Sequence, residues 1–301
     1  MGLSMISVSN RMTNIAEHLG YSRNSKLLII HADDLGMCHS INEATFKALQ
    51  ASAITSASVM VPCPCFSEVV EYCRTDPEMD LGIHLTITSE WQSYRWGPVS
   101  PVETVQSLVD DTGNFWSTTT EAVLHADPVE VETEIVAQVE MAIEKGIKPT
   151  HLDSHMFALL QSVPLGEVFA SVAKRFGLPL RISRGIAKYA GTGSALHHAN
   201  VLLEQYFQAT EQMTASEWPR HYEKMIESIK PGLNELILHL GIDDQQLRTV
   251  TGGEIAWGSA WRQRDTDVVM SQHFREHLQA NSVQPIRWRD LGNLVWQDLS
   301  H

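Results

Sequence analysis

Four short strand-like segments in this chain carry histidine or aspartate at or near their ends, and that repetition constrains the fold more than any other feature. They are LLIIHADD (27–34), LGIHL (81–85), the stretch His151-Leu-Asp153-Ser-His155, and ELILHL (235–240). LLIIHADD, LGIHL and ELILHL are rich in β-forming side chains and too short for a core helix, and His151–His155 follows Pro149-Thr150 in a β-rich context, so each reads as a strand. Longer amphipathic stretches separate them, which is the pattern of parallel βα units. In a barrel of such strands the side chains at the C-terminal strand ends converge on one mouth. Asp33, Asp34, His84, His155 and His239, far apart in sequence, would meet there.

The rest of the chain fits the same reading. Residues 1–25 are expected to form a helical extension before the first strand, Lys26-LLIIHADD. A helix is predicted at 40–51, where Ser-Ile-Asn-Glu suits a helix start. Thr55-SASVMV, ended by Pro62, and Asp80-LGIHLT are the next strands. Residues 88–127 hold Trp91, Tyr94, Trp96 and Trp116 with weak periodicity and read as a loop-rich insertion. Helices are predicted over 128–145 and 162–176, each followed by a glycine placed as a C-cap. Pro149-THLDSH and Leu180-RIS read as strands, 187–232 as polar and helical in parts, 265–280 as a helix, and Gln284-PIRWRDL as a last strand. With no repeat or linker, the expectation is one α/β domain over residues 1–301, a barrel of about seven parallel strands.

Composition narrows the partners. The net charge of -14, from 22 basic and 36 acidic residues, argues against nucleic acid and against an anionic membrane surface. No run of about 18 apolar residues exists to span a bilayer. The first residues, broken by Arg11 and Glu17, lack the apolar stretch of a signal peptide, so a cytoplasmic protein is expected. Cys38, Cys63, Cys65 and Cys73 do not make a zinc-ribbon spacing and read as reduced thiols.

The residue types at the strand ends point to a divalent metal. One carboxylate and two imidazoles, with the remaining positions open, suit a hydrolytic ion. His151 and His155 are four apart, as on a zinc-binding helix, but Pro149 and the β-rich context favour a strand. There His151, Asp153 and His155 share one face. Asp153, with His151 beside it, is then expected to orient a ligand imidazole.

At these residues the chain resembles the YdjC-like carbohydrate deacetylase family. The matching pieces are HADDLGMCHSIN, SVMVPC, LGIHLT, PTHLDSHM and ELILHLG, with weaker echoes in WRQRDTDVV and IRWRDL. The resemblance runs from about Lys26 to Leu291 and implies a distorted (β/α) TIM-like barrel of deacetylase type. It implies Asp34, His84 and His155 as ligands of one divalent ion, Asp33 as general base and His239 as general acid. Mg or Zn come first for the ion, with Mn, Ni or Co as alternatives. The implied substrate is an N-acetylated amino sugar or chito-oligosaccharide, losing its acetyl group to water. Trp91, Tyr94 and Trp96 would stack on sugar rings or else only anchor their loop to the barrel, and Arg181 and Arg184, after another strand, would position Asp33 or the sugar. Two departures bear on the pocket: Met156-Phe157-Ala158 replaces a His-x-His run, and His239-Leu240-Gly241 replaces His-Pro-Gly. The alternatives are hydrolysis of another amide or ester, or sugar binding without catalysis; a homodimer stays open.

Overall fold

Strand β1 (Lys26–Leu35) is buried at every position except Lys26, so both of its faces must be covered and both of its edges paired. The computed structural model describes residues 15–190, 201–253 and 256–292. Helix α1 (Ile15–His18) precedes β1, and α2 (His39–Gln50), β2 (Ser56–Val59), α3 (Phe66–Thr75) and β3 (Leu81–Leu85) follow it. After them come α4 (Thr119–His125), α5 (Pro128–Glu144), β4 (Leu152–Ser154), α6 (Val163–Phe176) and α7 (Arg184–Ala190). The chain continues through β5 (Gln205–Gln208), α8 (Trp218–Glu227), β6 (Gly232–Leu238) and α9 (Gln245–Val250). It closes with α10 (Ser259–Met270), α11 (Gln272–Ala280) and β7 (Val283–Pro285).

All strand pairs are parallel, in the order β4-β3-β2-β1-β6-β5. One edge of β1 is shared: its first residues pair with β7 and His31 onward with β2. The sheet curls into a half-barrel. Its two edges are linked through segment 180–183 by single bridges, Leu152 to Leu180 and Ser183 to Leu203.

Strand alternation sorts the residues into layers. Leu28, Ile30 and Ala32 of β1 and Leu236 and Leu238 of β6 join the large outer core under the helices. Leu27 and Ile29 join Leu233, Ile286 and Trp288 in a separate apolar plug at the strands' N-terminal ends. Above that plug the same inward parity places His31, Asp153, Arg181 and Glu235, all buried. Room for this polar layer depends on Gly82. A Cβ there would lie 2.4 Å from the His151 ring, which stacks on Trp288 at 4.7 Å and 16°.

The structure corrects several expectations. Segment 180–183 makes single bridges rather than a ladder, and β5 lies within the stretch expected to be polar and partly helical. The last strand stops at Pro285; Trp288–Leu291 is a 3-10 turn, closed where Asp290 accepts a hydrogen bond from the Arg287 N–H at 3.0 Å. The helix expected at 265–280 is two helices meeting at Ser271, whose hydroxyl accepts from Phe274 N and caps the second. Of the N-terminal extension, Ile15–His18 is helical and residues 1–14 lie outside the described residues. Residues 88–127 contain α4 and two 3-10 turns. No described helix is long and apolar enough to cross a membrane.

Replacing Gly82 with Ala should cost about 1–3 kcal/mol by overpacking. Pinned between Trp288 and Asp153, His151 cannot swing away, so removing its ring in a Gly82→Ala, His151→Ala double variant should make the two costs less than additive. Urea melts that show strict additivity, or a Gly82→Ala cost below about 0.5 kcal/mol, would contradict the contact.

Candidate metal centre

Period-2 alternation should turn Asp33 and Asp34 to opposite faces of β1. Instead Asp34 has φ +67°, in the left-handed region, and the register with β2 shifts between Ala32 and Leu35. Aspartate is among the side chains that tolerate this backbone, and the kink turns both carboxylates into the mouth. A positive φ on a buried non-glycine strand residue is the kind of strain that gathers at functional sites.

Three donor atoms meet there. Asp34 Oδ1 is 3.3 Å from His84 Nε2 and 3.3 Å from His155 Nδ1, and the two nitrogens are 3.2 Å apart. An ion with bonds of about 2.1 Å has ligand–ligand edges of about 3.0 Å when octahedral and about 3.4 Å when tetrahedral. The triangle fits either. Asp34 Oδ1 is buried, makes no well-formed hydrogen bond and faces only the two imidazole nitrogens, so it is an acceptor that a cation would satisfy.

The outer nitrogens fix which ring nitrogen faces the triangle. His84 Nδ1 donates to Asp153 Oδ1 at 2.7 Å, leaving Nε2 free as a ligand. His155 Nε2 is 3.0 Å from Glu90 Oε2, leaving its Nδ1 free. Glu90 was not foreseen from the sequence; its one signal is its place in the polar turn straight after β3.

Two arginines offset the buried carboxylates. Arg181 grips Asp33 with both terminal nitrogens, at 2.5 and 3.0 Å, and reaches Asp153 Oδ2 at 3.0 Å. Arg262, also unforeseen, donates to Asp34 Oδ2 at 2.7 Å from α10. Burial alone would raise the pKa of Asp33, but Arg181, His84 and His31 hold it below the usual carboxylate range. Against the same burial, Arg262 and the two imidazoles hold Asp34 well below it. Burial opposes charge on His84 and His155 too, yet Asp153 and Asp33 raise the first to about 9, and Glu90 and Asp34 raise the second to about 10.

The remaining candidates divide. His239 lines the same cleft, and its backbone N–H donates to Asp265 Oδ2 at 3.0 Å. Burial lowers its pKa to about 4, so its imidazole is neutral at pH 7. His151 lies one layer down, its Nε2 3.7 Å from Asp153 Oδ2, outside the donor triangle. Trp91 lines the cleft. Tyr94 and Trp96 instead anchor the loop, donating to the Met37 and Thr88 carbonyls at 2.9 and 2.8 Å. Arg184 is the one candidate placed elsewhere: it pairs with Glu204 at 2.7 Å, beside Gly232 at the N-terminal end of β6, away from the mouth.

The described cleft encloses about 540 Å³ and is walled by Trp91, Phe157 and Trp257 as well as by the charged cluster. Two successive non-glycine residues with positive φ, Met156 (50°) and Phe157 (53°), form the corner after His155. Phe157 lies 5.7 Å from the Arg181 guanidinium.

Residues 27–280 match the family described as YdjC-like protein. A carbohydrate deacetylase of Enterococcus faecalis is 26% identical over 265 residues, 86% of this chain and 96% of that protein. A chitooligosaccharide deacetylase of Yersinia enterocolitica is 32% identical over 173 residues, 55% of this chain and 63% of its own. A solved Enterococcus faecalis structure described as a cellobiose-phosphate cleavage protein aligns with a TM-score of 0.74 at 25% identity, covering 89% of this chain and 99% of that one.

With both imidazoles raised above neutral, a divalent ion held by Asp34, His84 and His155 would displace their protons. Calorimetry in buffers of different ionisation enthalpy should show proton release, with affinity rising with pH until about 9 to 10 and then levelling. Glu90→Gln should weaken the ion by about 10- to 100-fold without unfolding the chain. Binding that releases no protons, or that ignores Glu90, would contradict the arrangement.

Proposed function

The chain belongs to the YdjC-like family, and on that footing we propose that it is a metal-dependent hydrolase removing the acetyl group from an N-acetylated amino sugar or chito-oligosaccharide. One observation carries the proposal: a triangle of free donors at 3.2–3.3 Å, beside an ionised Asp33 clamped by Arg181, in a cleft large enough for a sugar. We read the sheet and its helices as one catalytic unit in the form of a distorted barrel. Asp34, His84 and His155 would hold one divalent ion, Mg or Zn first.

A divalent ion there supplies a Lewis acid that polarises the acetamide carbonyl and acidifies water. Asp33 takes the proton of the attacking water, and Arg181 and His31 fix the direction of its carboxylate. Asp153 and Glu90 keep the two imidazoles in their ligand tautomers. His239 enters the cycle neutral, so the proton it hands to the departing nitrogen is one it gains during turnover. The C–N bond breaks as that proton arrives, giving acetate and the free amino sugar. Trp91, with Trp257 and Phe157, offers apolar faces to sugar rings.

Acetate release from a panel of N-acetylglucosamine oligomers, with and without added divalent ion, tests the activity; no release under any ion would defeat it. Asp33→Asn should keep its ion and lose turnover by about 10²-fold or more. Loss of the ion with the activity would make Asp33 a ligand. His239→Gln should lose most of kcat on the amide and much less on an ester, whose leaving group needs less protonation. Equal losses would return His239 to packing or substrate binding.

A further inference from the structure

We infer that Gln138 is a positioning residue for the metal centre: with Glu134, one turn before it on α5, it holds the chain between His84 and Glu90 so that Glu90 reaches His155. This rests on reading the Asp34, His84 and His155 triangle as a metal centre, and adds a residue that acts on it from outside the cleft.

A helix laid against a sheet buries an apolar stripe, and α5 supplies one in Val131, Ile135, Val139 and Ala142. Among them it also buries Glu134 and Gln138, both fully. Taking a carboxylate and a carboxamide out of water is costly unless every polar atom finds a partner. Here every one does. The Gln138 carboxamide faces Thr86 as a neighbouring strand would: its Oε1 accepts from the Thr86 N–H at 3.0 Å, and its Nε2 donates to the Thr86 carbonyl at 2.7 Å. The second Nε2 hydrogen goes to Glu134 Oε1 at 2.8 Å, which fixes the orientation of the amide. Glu134 in turn accepts from the N–H groups of Val99 and Ser100, each at 2.9 Å.

The place of these contacts assigns their purpose. The last registered pair of β3 is Leu85 with Ser154, and Thr86, the next residue, is held by Gln138 instead. Thr86 lies two residues after His84 and four before Glu90, whose Oε2 is 3.0 Å from His155 Nε2. The chain between is also tied by its own loop: Trp96 Nε1 donates to the Thr88 carbonyl at 2.8 Å, and the Ser89 N–H to the Trp116 carbonyl at 2.9 Å. One buried pair on α5 thus grips this loop where it leaves β3 and again at Val99 and Ser100. A leucine at either position would pack the same helix without fixing where Glu90 points.

The test measures Mn affinity by calorimetry, and the His155 imidazole N–H by proton NMR, in the wild type, Gln138→Leu, Glu90→Gln and the double variant. Gln138→Leu should weaken Mn on the order of tenfold, the scale of losing the outer partner of a metal-bound imidazole. In the Glu90→Gln background the same change should cost less than about twofold, since the partner it serves is already gone. In the ion-free protein, the downfield N–H signal that Glu90→Gln shifts should shift in Gln138→Leu as well. Equal affinity losses in both backgrounds overturn the inference. So does a Gln138→Leu protein that is less stable in urea melts while its affinity and signal stay unchanged, which would leave Gln138 a core residue only. If Gln138→Leu does not fold, Glu134→Gln, whose amide nitrogen cannot accept, carries the same cycle. A wild type that binds no Mn would sink the metal reading instead; the N–H signal then decides whether Gln138 sets Glu90.

Discussion

The left-handed backbone of Asp34 is the constraint on which the site depends. An unkinked β1 would send Asp33 and Asp34 to opposite faces, one into the mouth and one into the outer core. At φ +67° the second carboxylate swings back, and one dipeptide turns both carboxylates into the mouth, where the proposed reaction uses Asp34 for the ion and Asp33 as the base. The cost of such a conformation, about 1–3 kcal/mol, persists only where the surroundings over-determine it. Here they do: Arg262 holds Asp34 from α10, and Arg181 holds Asp33 from segment 180–183.

Charge balance links that kink to the rest of the interior. Asp33, Asp34 and Asp153 are buried together, an arrangement that burial alone would neutralise by protonation. Two arginines and the raised imidazoles of His31, His84 and His155 keep them ionised. A divalent ion held by Asp34, His84 and His155 would add positive charge to the same balance and displace imidazole protons as it bound. The apolar plug of Leu27, Ile29, Leu233 and Trp288 lies beneath this charge at the N-terminal end of the strands.

Much of this was legible in the chain. Short segments carrying His or Asp at or near their ends gave the strands, and helix caps such as Ser162 and Gly177 marked α6 closely. The convergence of Asp34, His84 and His155 followed from parallel strands ending at one mouth. What escaped was conformation and long-range pairing. No periodicity announces a positive φ at an aspartate, and Arg262 reaches Asp34 across 228 residues. Glu90 sits in a turn whose direction the sequence does not set. Strand parity does separate the two arginines: Leu180 and Ile182 face the outer core, so Arg181 points inward, whereas Arg184 has already entered α7. Of the three aromatics expected at the sugar, Tyr94 and Trp96 spend their polar atoms on loop carbonyls, which composition could not distinguish from stacking.

The central claim is that one divalent ion sits in the Asp34, His84 and His155 triangle. Anomalous diffraction from crystals soaked in Mn or Zn tests it directly. The account predicts a single peak within roughly 2.0–2.3 Å of Asp34 Oδ1, His84 Nε2 and His155 Nδ1, with Asp33 still clamped by Arg181 and outside the coordination shell. A peak ligated by Asp33 or His151 in place of any of the three, or no peak in the mouth at all, would contradict it.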